Sequence, residues 1–347
     1  MKLMDNLGSR AASLLELTCV SIRSETHDIK TFSFEADREI SFEAGQALTL
    51  MLEIEGELLY RTFSISSRPS SRIVDITMKA HPNGRATSWL HRNLKEGDLI
   101  KTRPPSGRFT IGLKTSEKIA LVSAGSGATP LFSMLQHLSE IEPDANVAWV
   151  HAARTPVDLL FTERLTSLQG VMPNLSVASV VTNAAPGWHG YKGLLGRRMM
   201  SVVIPDFAER QTFSCGPAGF MHEIKLIFAA EGGNGSLFHT ESFGMQSATA
   251  DQIEVAPDVS KKPVKSIRVA DRLLESRGNE TLLQACLRQG VIIPCGCGQG
   301  MCGTCMIKKI SGEVEMQHQD GITPEEEAAG YILACCSRLV SDVEIAI

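Results

Sequence analysis

Three cysteines spaced C-x4-C-x2-C, Cys297, Cys302 and Cys305, with Cys335 thirty residues further on, constrain this chain more than any other feature. Four sulfurs so spaced converge only if the loop between Cys297 and Cys305 wraps tightly and a distant segment folds back against it. The spacing is that of a [2Fe-2S] cluster held by four thiolates. Gly296, Gly298, Gly300 and Gly303 permit positive φ and a close approach of backbone to inorganic sulfide. The loop N–H groups then donate to the sulfurs and help set the potential. Zinc prefers paired C-x2-C or Cys/His knuckles, and only one such pair is present. Disulfides are disfavoured in a reducing compartment. Nine cysteines occur in all, seven of them after position 280. The fourth ligand is Cys335 or Cys336. The order Leu333-Ala334-Cys335 favours Cys335, and a strand's period of two sends Cys336 to the opposite face. Cys19, Cys286 and Cys336 suit core packing as small hydrophobes, and the role of Cys295 is open.

A chain of 347 residues is too long for one compact unit and suggests two or three. From about residue 16 to 112, short strand-like runs (ELTCVSI, TFSFEAD, ALTLMLEI, LLYRTFSI, IVDITMKA, DLIKTRP) alternate with Gly, Asp, Asn and Pro punctuation, and only Ala86–Leu94 has helical spacing. This pattern predicts an antiparallel β-barrel or sandwich. From Lys118 the texture changes. KIALVSA, NVAWVH, LSVASVVT and QTFSC alternate with helical stretches at Pro130–Leu138, Val157–Leu168 and Ala218–Ala230, which predicts a parallel α/β sheet. Residues 243–265 lack periodicity and read as a linker. Beyond them the sequence predicts a strand at Ser266–Ala270, a helix at Leu282–Gln289, the cysteine loop, a hairpin through MIKKISGEVEM and a last strand VEIAI.

Lys plus Arg number 34 against 39 Asp plus Glu, a net charge of -5, so no basic excess points to nucleic acid. The first twenty residues lack a secretory pattern, and Ile119–Leu135 carries Gly125, Gly127 and Pro130, which disqualifies it as a membrane span. A cytoplasmic location is expected. The nine histidines show no H-x3-H or H-E-x2-H spacing, no nucleophile elbow surrounds Ser123 or Ser126, and Glu325-Glu326-Glu327 reads as a solvated helix start or as part of a docking surface near the cluster.

Arg61-Thr62-Phe63-Ser64 ends a predicted strand. An Arg there can hold a phosphate by a charge-assisted fork, an aromatic can lie on an isoalloxazine, and a hydroxyl can reach flavin N5. Gly84-Arg85-Ala86-Thr87 follows at a helix start, where free N–H groups and a hydroxyl suit a pyrophosphate. Gly125-Ser126-Gly127-Ala128-Thr129-Pro130 follows a strand and opens a helix, as a dinucleotide turn does, with Pro130 at the place of the third glycine. Cys215-Gly216-Pro217 repeats that strand-to-helix placement.

Taken in order, these four motifs resemble the ferredoxin-NADP reductase family over roughly residues 12–243, and Pro294–Cys305 with Tyr331–Ser337 resembles a plant-type ferredoxin. The whole arrangement resembles the reductase components of Rieske-type oxygenases. The resemblance implies three domains: an antiparallel β-barrel flavin domain at 12–113, an α/β parallel-sheet nicotinamide domain at 114–243, a linker at 244–262 and an α+β β-grasp ferredoxin domain at 263–347. It implies that Arg61, with Thr62, contacts the flavin phosphate, that Phe63 packs on the ring and that Ser64 lies near N5. Gly84, Arg85, Ala86 and Thr87 would hold the second phosphate of FAD. Gly125 and Gly127 with Thr129 and Pro130 would border the nicotinamide, and Cys215 would stand near its C4 with Gly216 and Pro217 shaping the pocket. Ser64, Thr129 and Cys215 are then the expected catalytic residues, and Cys297, Cys302, Cys305 and Cys335 the metal ligands. Phe63 stands where Tyr is usual. The G-x-x-T element favours FAD over FMN, and Thr182-Asn183, without a cation for a 2'-phosphate, favours NADH over NADPH, with Arg154 and Arg197-Arg198 the remaining candidates for that role. The expected partner is an electron acceptor, foremost the terminal component of a Rieske-type oxygenase. A hybrid-cluster protein, a diiron monooxygenase or a desaturase is the alternative acceptor, and a flavin and iron-sulfur redox sensor is the alternative from another class.

Overall fold

The computed structural model describes residues 14–81, 84–112, 118–242, 265–278, 280–293, 295, 298, 300, 303, 305–318 and 321–347. The expected linker, together with Cys297 and Cys302, lies outside the described residues.

The first unit contains β1 (Leu15–Ser24), β2 (Ile29–Ala36), β3 (Ala47–Ile54), β4 (Glu57–Ser64), β5 (Ile73–Lys79), helix α1 (Arg85–Asn93) and β6 (Leu99–Thr102). The strands pair antiparallel in the order β4-β3-β6-β1-β2-β5. Alternate residues such as Leu17, Phe32, Phe34, Leu48 and Leu50 point inward and are fully buried, the period-two pattern of a sheet with one wet face. The sheet curls until Ile65, just past β4, bridges Ile76 of β5, so it is nearly a closed barrel. α1 covers one end, burying Ala86 and Leu90.

The second unit runs β7 (Lys118–Ala124), α2 (Ala128–Ile141), β8 (Asn146–Ala153), α3 (Thr162–Gln169), β9 (Leu175–Val181), β10 (Tyr191–Lys192), α4 (Arg197–Val203), β11 (Gln211–Gly216), α5 (Ala218–Ala230) and β12 (Phe238–Ser242). All its pairings are parallel, in the order β10-β9-β8-β7-β11-β12. Helices cover both faces, which is why β7 reads as one apolar run: Ile119 and Leu121 pack towards Leu131 and Phe132, Ala120 and Val122 towards Ile224 and Phe228. The helix expected from Val157 begins instead at Thr162, because Pro156–Asp158 forms a separate 3-10 turn closed by a Thr155–Asp158 capping box. From β7 the chain steps outward through β8, β9 and β10, then crosses back to β11. The switch point of the sheet is therefore the crevice between the carboxyl ends of β7 and β11, where open α/β sheets bind ligands.

The third unit holds β13 (Lys265–Val269), β14 (Arg272–Ser276), α6 (Leu282–Arg288), β15 (Met306–Ser311), β16 (Val314–Met316), α7 (Pro324–Ala328), β17 (Tyr331–Leu333), β18 (Ser337–Leu339) and β19 (Val343–Ala346). Its main sheet is mixed, ordered β14-β13-β19-β15-β17, with β13 parallel to β19 and α6 adding Leu282, Ala285 and Cys286 to the core. Thr281 and Gln284 cap α6 reciprocally. The expected hairpin through MIKKISGEVEM does not form. Both edges of β15 are taken, by β17 and β19, and β16 pairs with β18 instead. Gly312 is needed for close packing, since a Cβ there would stand 2.1 Å from the Asp342 carbonyl oxygen.

Candidate active site

Cys305 immediately precedes β15 and Cys335 lies two residues beyond β17. The antiparallel pairing of Met306 with Leu333 therefore draws together residues thirty apart in sequence. The Ala334 N–H donates to the Cys305 carbonyl at 3.1 Å, and the Cys335 N–H donates to Cys305 Sγ at 3.5 Å. The thiols of Cys295 and Cys336 join this group. Hydrogen bonds from Cys295, Cys305 and Cys336, with one from the Gly300 N–H, hold the Cys335 thiol far below its ordinary value, while the Cys305 thiol is pushed well up by its bonds to Cys295 and Cys335. A buried group of cysteines that offers backbone N–H to sulfur suits an iron-sulfur cluster. Gly300 and Gly303, at φ +73 and +72, let the loop turn there. Cys336 does not sit on an opposite strand face: both cysteines occupy the turn between β17 and β18, and Cys336 Sγ bonds back to the Leu333 carbonyl.

The expected flavin residues line β4 and the start of α1. Thr62 and Ser64 are buried, Arg61 and Phe63 half-buried. Burial lowers the Arg61 pKa, and the neighbouring Arg85 guanidinium adds to the effect. Arg85 is answered by Glu57 at 2.5 Å. No carboxylate pairs with Arg61 among the described residues, so this partly desolvated cation suits a bound anion. The first turn of α1 beside it has Gly84 as N-cap and no side-chain cap, leaving N–H groups for phosphate oxygens. The side chains of Ala86 and Thr87 have local tasks: Ala86 is in the barrel core, and Thr87 Oγ1 accepts from the His81 N–H at 3.2 Å.

At the switch point, β7 ends in a 3-10 turn, Gly125–Gly127, and α2 starts without a side-chain cap. Gly127 is pressed against β11: a Cβ there would lie 2.2 Å from the Cys215 carbonyl oxygen. Thr129 is buried and donates to the Ser126 carbonyl at 2.9 Å. Cys215 is fully buried, and burial, reinforced by Glu241, pushes its thiol well above the ordinary value. The structure thus gathers Gly125, Gly127, Thr129, Pro130, Cys215, Gly216 and Pro217 at one crevice, and it adds a residue the sequence did not advertise. Glu241 on β12 is in register with Cys215, is buried, and accepts a 3.5 Å hydrogen bond from Ser64 Oγ of the barrel. No motif surrounds Glu241; its one sequence signal is an acidic residue inside the strand-like run FHTES.

Three family models match successive stretches of the chain. Residues 16–111 match the oxidoreductase FAD-binding domain, 121–226 the oxidoreductase NAD-binding domain and 269–340 the 2Fe-2S iron-sulfur cluster binding domain. The chain is 37% identical over 345 residues to the glycine betaine monooxygenase reductase subunit of Chromohalobacter salexigens, covering 94% of each chain. The chain belongs to the family of FAD-, NAD- and [2Fe-2S]-containing oxygenase reductase subunits. This reductase is also 33% identical over 336 residues to the stachydrine N-demethylase reductase subunit of Rhizobium meliloti, covering 95% of both. Phthalate dioxygenase reductase has the same fold, with a TM-score of 0.61 at 22% identity over 96% of this chain and 97% of that one. The reductase is accordingly an NAD(P)H-dependent oxidoreductase with FAD, NADH and a [2Fe-2S] cluster as its redox groups.

Further contacts join its units around β4. Thr62 Oγ1, which shares a 2.9 Å hydrogen bond with Thr49 Oγ1, also donates to the Cys295 carbonyl at 2.8 Å. From the other side, α2 grips the loop after β4: Ser133 Oγ donates to the Ser67 carbonyl at 2.6 Å and Gln136 Nε2 to that of Ser66 at 2.7 Å. Of the acidic run at 325–327, Glu326 pairs with Arg108 of the barrel unit and Glu327 lies 2.9 Å from His318 Nε2, so two of its three acids have partners within the chain. Arg197 is paired with Glu231 at 2.7 Å. No helix among the described residues is long and apolar enough to cross a membrane.

Proposed function

We propose that this reductase takes a hydride from NADH at the crevice of Ser64, Thr129 and Cys215 and delivers single electrons to the terminal component of an oxygenase, most simply a Rieske-type hydroxylase or demethylase. The observation that carries the proposal is the alternation along β4. Thr62 and Ser64 are two residues apart and so share one face of the strand; Thr62 touches the cysteine loop at Cys295, and Ser64 touches the nicotinamide crevice at Glu241. The flavin strand therefore lies between the site of electron entry and the site of exit. Bound flavin supplies the needed conversion, because it accepts two electrons together and releases them singly.

In this proposal Arg61 and the uncapped start of α1, from Gly84 through Arg85, Ala86 and Thr87, bind the FAD diphosphate, and Phe63 lies against the ring. The Gly125–Gly127 turn, with Pro130, Gly216 and Pro217, orients the dinucleotide. Ser64 and Glu241 keep a hydrogen-bonded, water-poor boundary beside Cys215. Cys297, Cys302, Cys305 and Cys335 hold the cluster. The domains follow the boundaries 12–113, 114–243 and 263–347 with a linker at 244–262. The acceptor is inferred from relatives that are reductase subunits of a glycine betaine monooxygenase and a stachydrine N-demethylase. A cytoplasmic site is proposed because a reducing compartment keeps the thiolate ligands of an iron-sulfur cluster from pairing as disulfides.

The test is spectroscopic and kinetic. Purified protein should show flavin absorbance together with iron and acid-labile sulfide, and should reduce both ferricyanide and cytochrome c with NADH. Cys302→Ser should abolish cytochrome c reduction while sparing ferricyanide reduction. Loss of both would mean that the groups do not act in series, and slow turnover of both by the intact protein would favour a sensor.

A further inference from the structure

We propose that Arg108, which belongs to the flavin unit, is a positioning residue for the cluster loop, clamping its far end against the barrel through Gly303 and Glu326. The loop between Cys295 and Cys305 meets the barrel at both ends. At its start the Cys295 carbonyl accepts from Thr62 Oγ1 at 2.8 Å. At its far end the Arg108 side chain fills the space beside Gly303: a Cβ at that glycine would lie 2.8 Å from both Cδ and Nε of Arg108. The guanidinium continues past the loop, reaching Met306 Sδ at 3.8 Å and pairing with the Glu326 carboxylate. Glu326 is not a floating surface acid. Its Oε2 accepts from the Thr323 N–H at 2.9 Å as half of the capping box of α7, which leaves Oε1 aimed at Arg108. An aliphatic stem packed on a glycine and a charge met by a pre-oriented carboxylate together fix one position of the loop.

The Arg108 and Glu326 side chains are 36% and 27% exposed. Pairs of that kind are weak and are screened by salt. The clamp thus holds the cluster loop beside β4 during the one-electron transfer from flavin to cluster, in which no bond is made or broken, and remains weak enough to release. The inference rests on the function proposed above. Its charge also lies beside a loop that would carry an added electron, so removing it should move the cluster potential to more negative values.

The experiment uses the full-length protein loaded with flavin and cluster. NADH is mixed in a single turnover, and the bleaching of flavin and cluster bands is followed separately at low and high ionic strength. Arg108→Gln should slow cluster reduction by about fivefold at low salt, the upper range for an exposed pair, leave flavin reduction unchanged, and lose the salt dependence seen in wild type. Spectroelectrochemistry should show a more negative cluster potential. Arg108→Lys, which keeps the aliphatic stem beside Gly303 and a charge for Glu326, should retain most of the rate and its salt dependence. A wild-type protein without flavin, iron and sulfide would sink the proposed function. Loaded Arg108→Gln with an unchanged rate and potential, or Arg108→Lys no better than Arg108→Gln, would overturn the clamp alone.

Discussion

Adding one methyl group at Gly127 should disable the nicotinamide site without touching any group that does chemistry. A Cβ there would stand 2.2 Å from the Cys215 carbonyl oxygen, 2.4 Å from its carbon and 2.7 Å from the Gly216 nitrogen. Ordinary contact begins at 3.4 Å, so the turn and β11 must part by about 1.2 Å, the difference between 3.4 and 2.2. The strand will not yield, because β11 is held on one side by β7 and on the other by β12. The displacement therefore falls on the Gly125–Gly127 turn and the first residues of α2, the elements expected to orient the dinucleotide. Misplacement by about 1 Å costs on the order of a hundredfold in rate. Gly127→Ala should lower kcat/KM for NADH-driven ferricyanide reduction by about that factor and depress Tm as well. Two neighbours calibrate the result. Gly125 has φ +54 with nothing within 4 Å of a Cβ, so Gly125→Ala meets only left-handed strain, about 1 kcal/mol. Gly219 in α5 has open space and no positive φ, so Gly219→Ala should match wild type or gain slightly in stability. A Gly127→Ala enzyme within threefold of wild-type kcat/KM and unchanged in Tm would refute the argument that this glycine sets the spacing of turn and strand.

Arg61→Ala removes a partly desolvated cation that faces Arg85, so flavin Kd in a fluorescence titration should rise roughly 10- to 100-fold, the worth of a charge-assisted hydrogen bond, while the flavin-free protein loses no stability; unchanged flavin affinity would move the phosphate site elsewhere. Glu241→Ala should slow flavin reduction by NADH by an order of magnitude or more, and ferricyanide and cytochrome c activities should fall by the same factor because the step precedes both; a selective loss of cytochrome c reduction would contradict its place beside Ser64. His151 is buried with its pKa lowered to about 4 from 6.5, and its Nδ1 lies 2.8 Å from Ser123 Oγ. Because the unfolded state takes the proton first, stability is full above pH 6.5 and falls by about 3 kcal/mol as pH drops towards 4; denaturant melts of His151→Phe should lack that part of the acid loss.

The sequence was most legible where a short motif does its own geometry. The glycines around Gly125 and the cysteine spacing announce turns that few other structures require, and the burial of KIALVSA announces a covered parallel strand. Legibility failed where the decisive fact is pairing between distant segments. Ser311-Gly312-Glu313 has the composition of a hairpin turn, yet β17 and β19 win both edges of β15. Glu241 carries no local signal, since its meaning comes from lying in register with Cys215 and within reach of Ser64. Arg108 and Glu326 are likewise ordinary surface residues until folding sets one unit against the other. The period-two argument for Cys336 failed because it assumed that a strand continued through a turn.

The Ser64–Glu241 contact bears on how such chains can be recombined. One partner comes from the barrel and the other from the last strand of the nucleotide sheet, at the point where the chain departs towards the iron-sulfur unit. Barrel and nucleotide sheet are therefore a single inheritable cassette: a graft that exchanges either one must bring a matching serine and glutamate, and a truncation that removes the iron-sulfur unit must leave β12 whole. Among the described residues the iron-sulfur unit meets the barrel at the Thr62–Cys295 bond and at the contacts of Arg108 with Gly303, Met306 and Glu326, so these are the contacts that an exchanged carrier would have to reproduce.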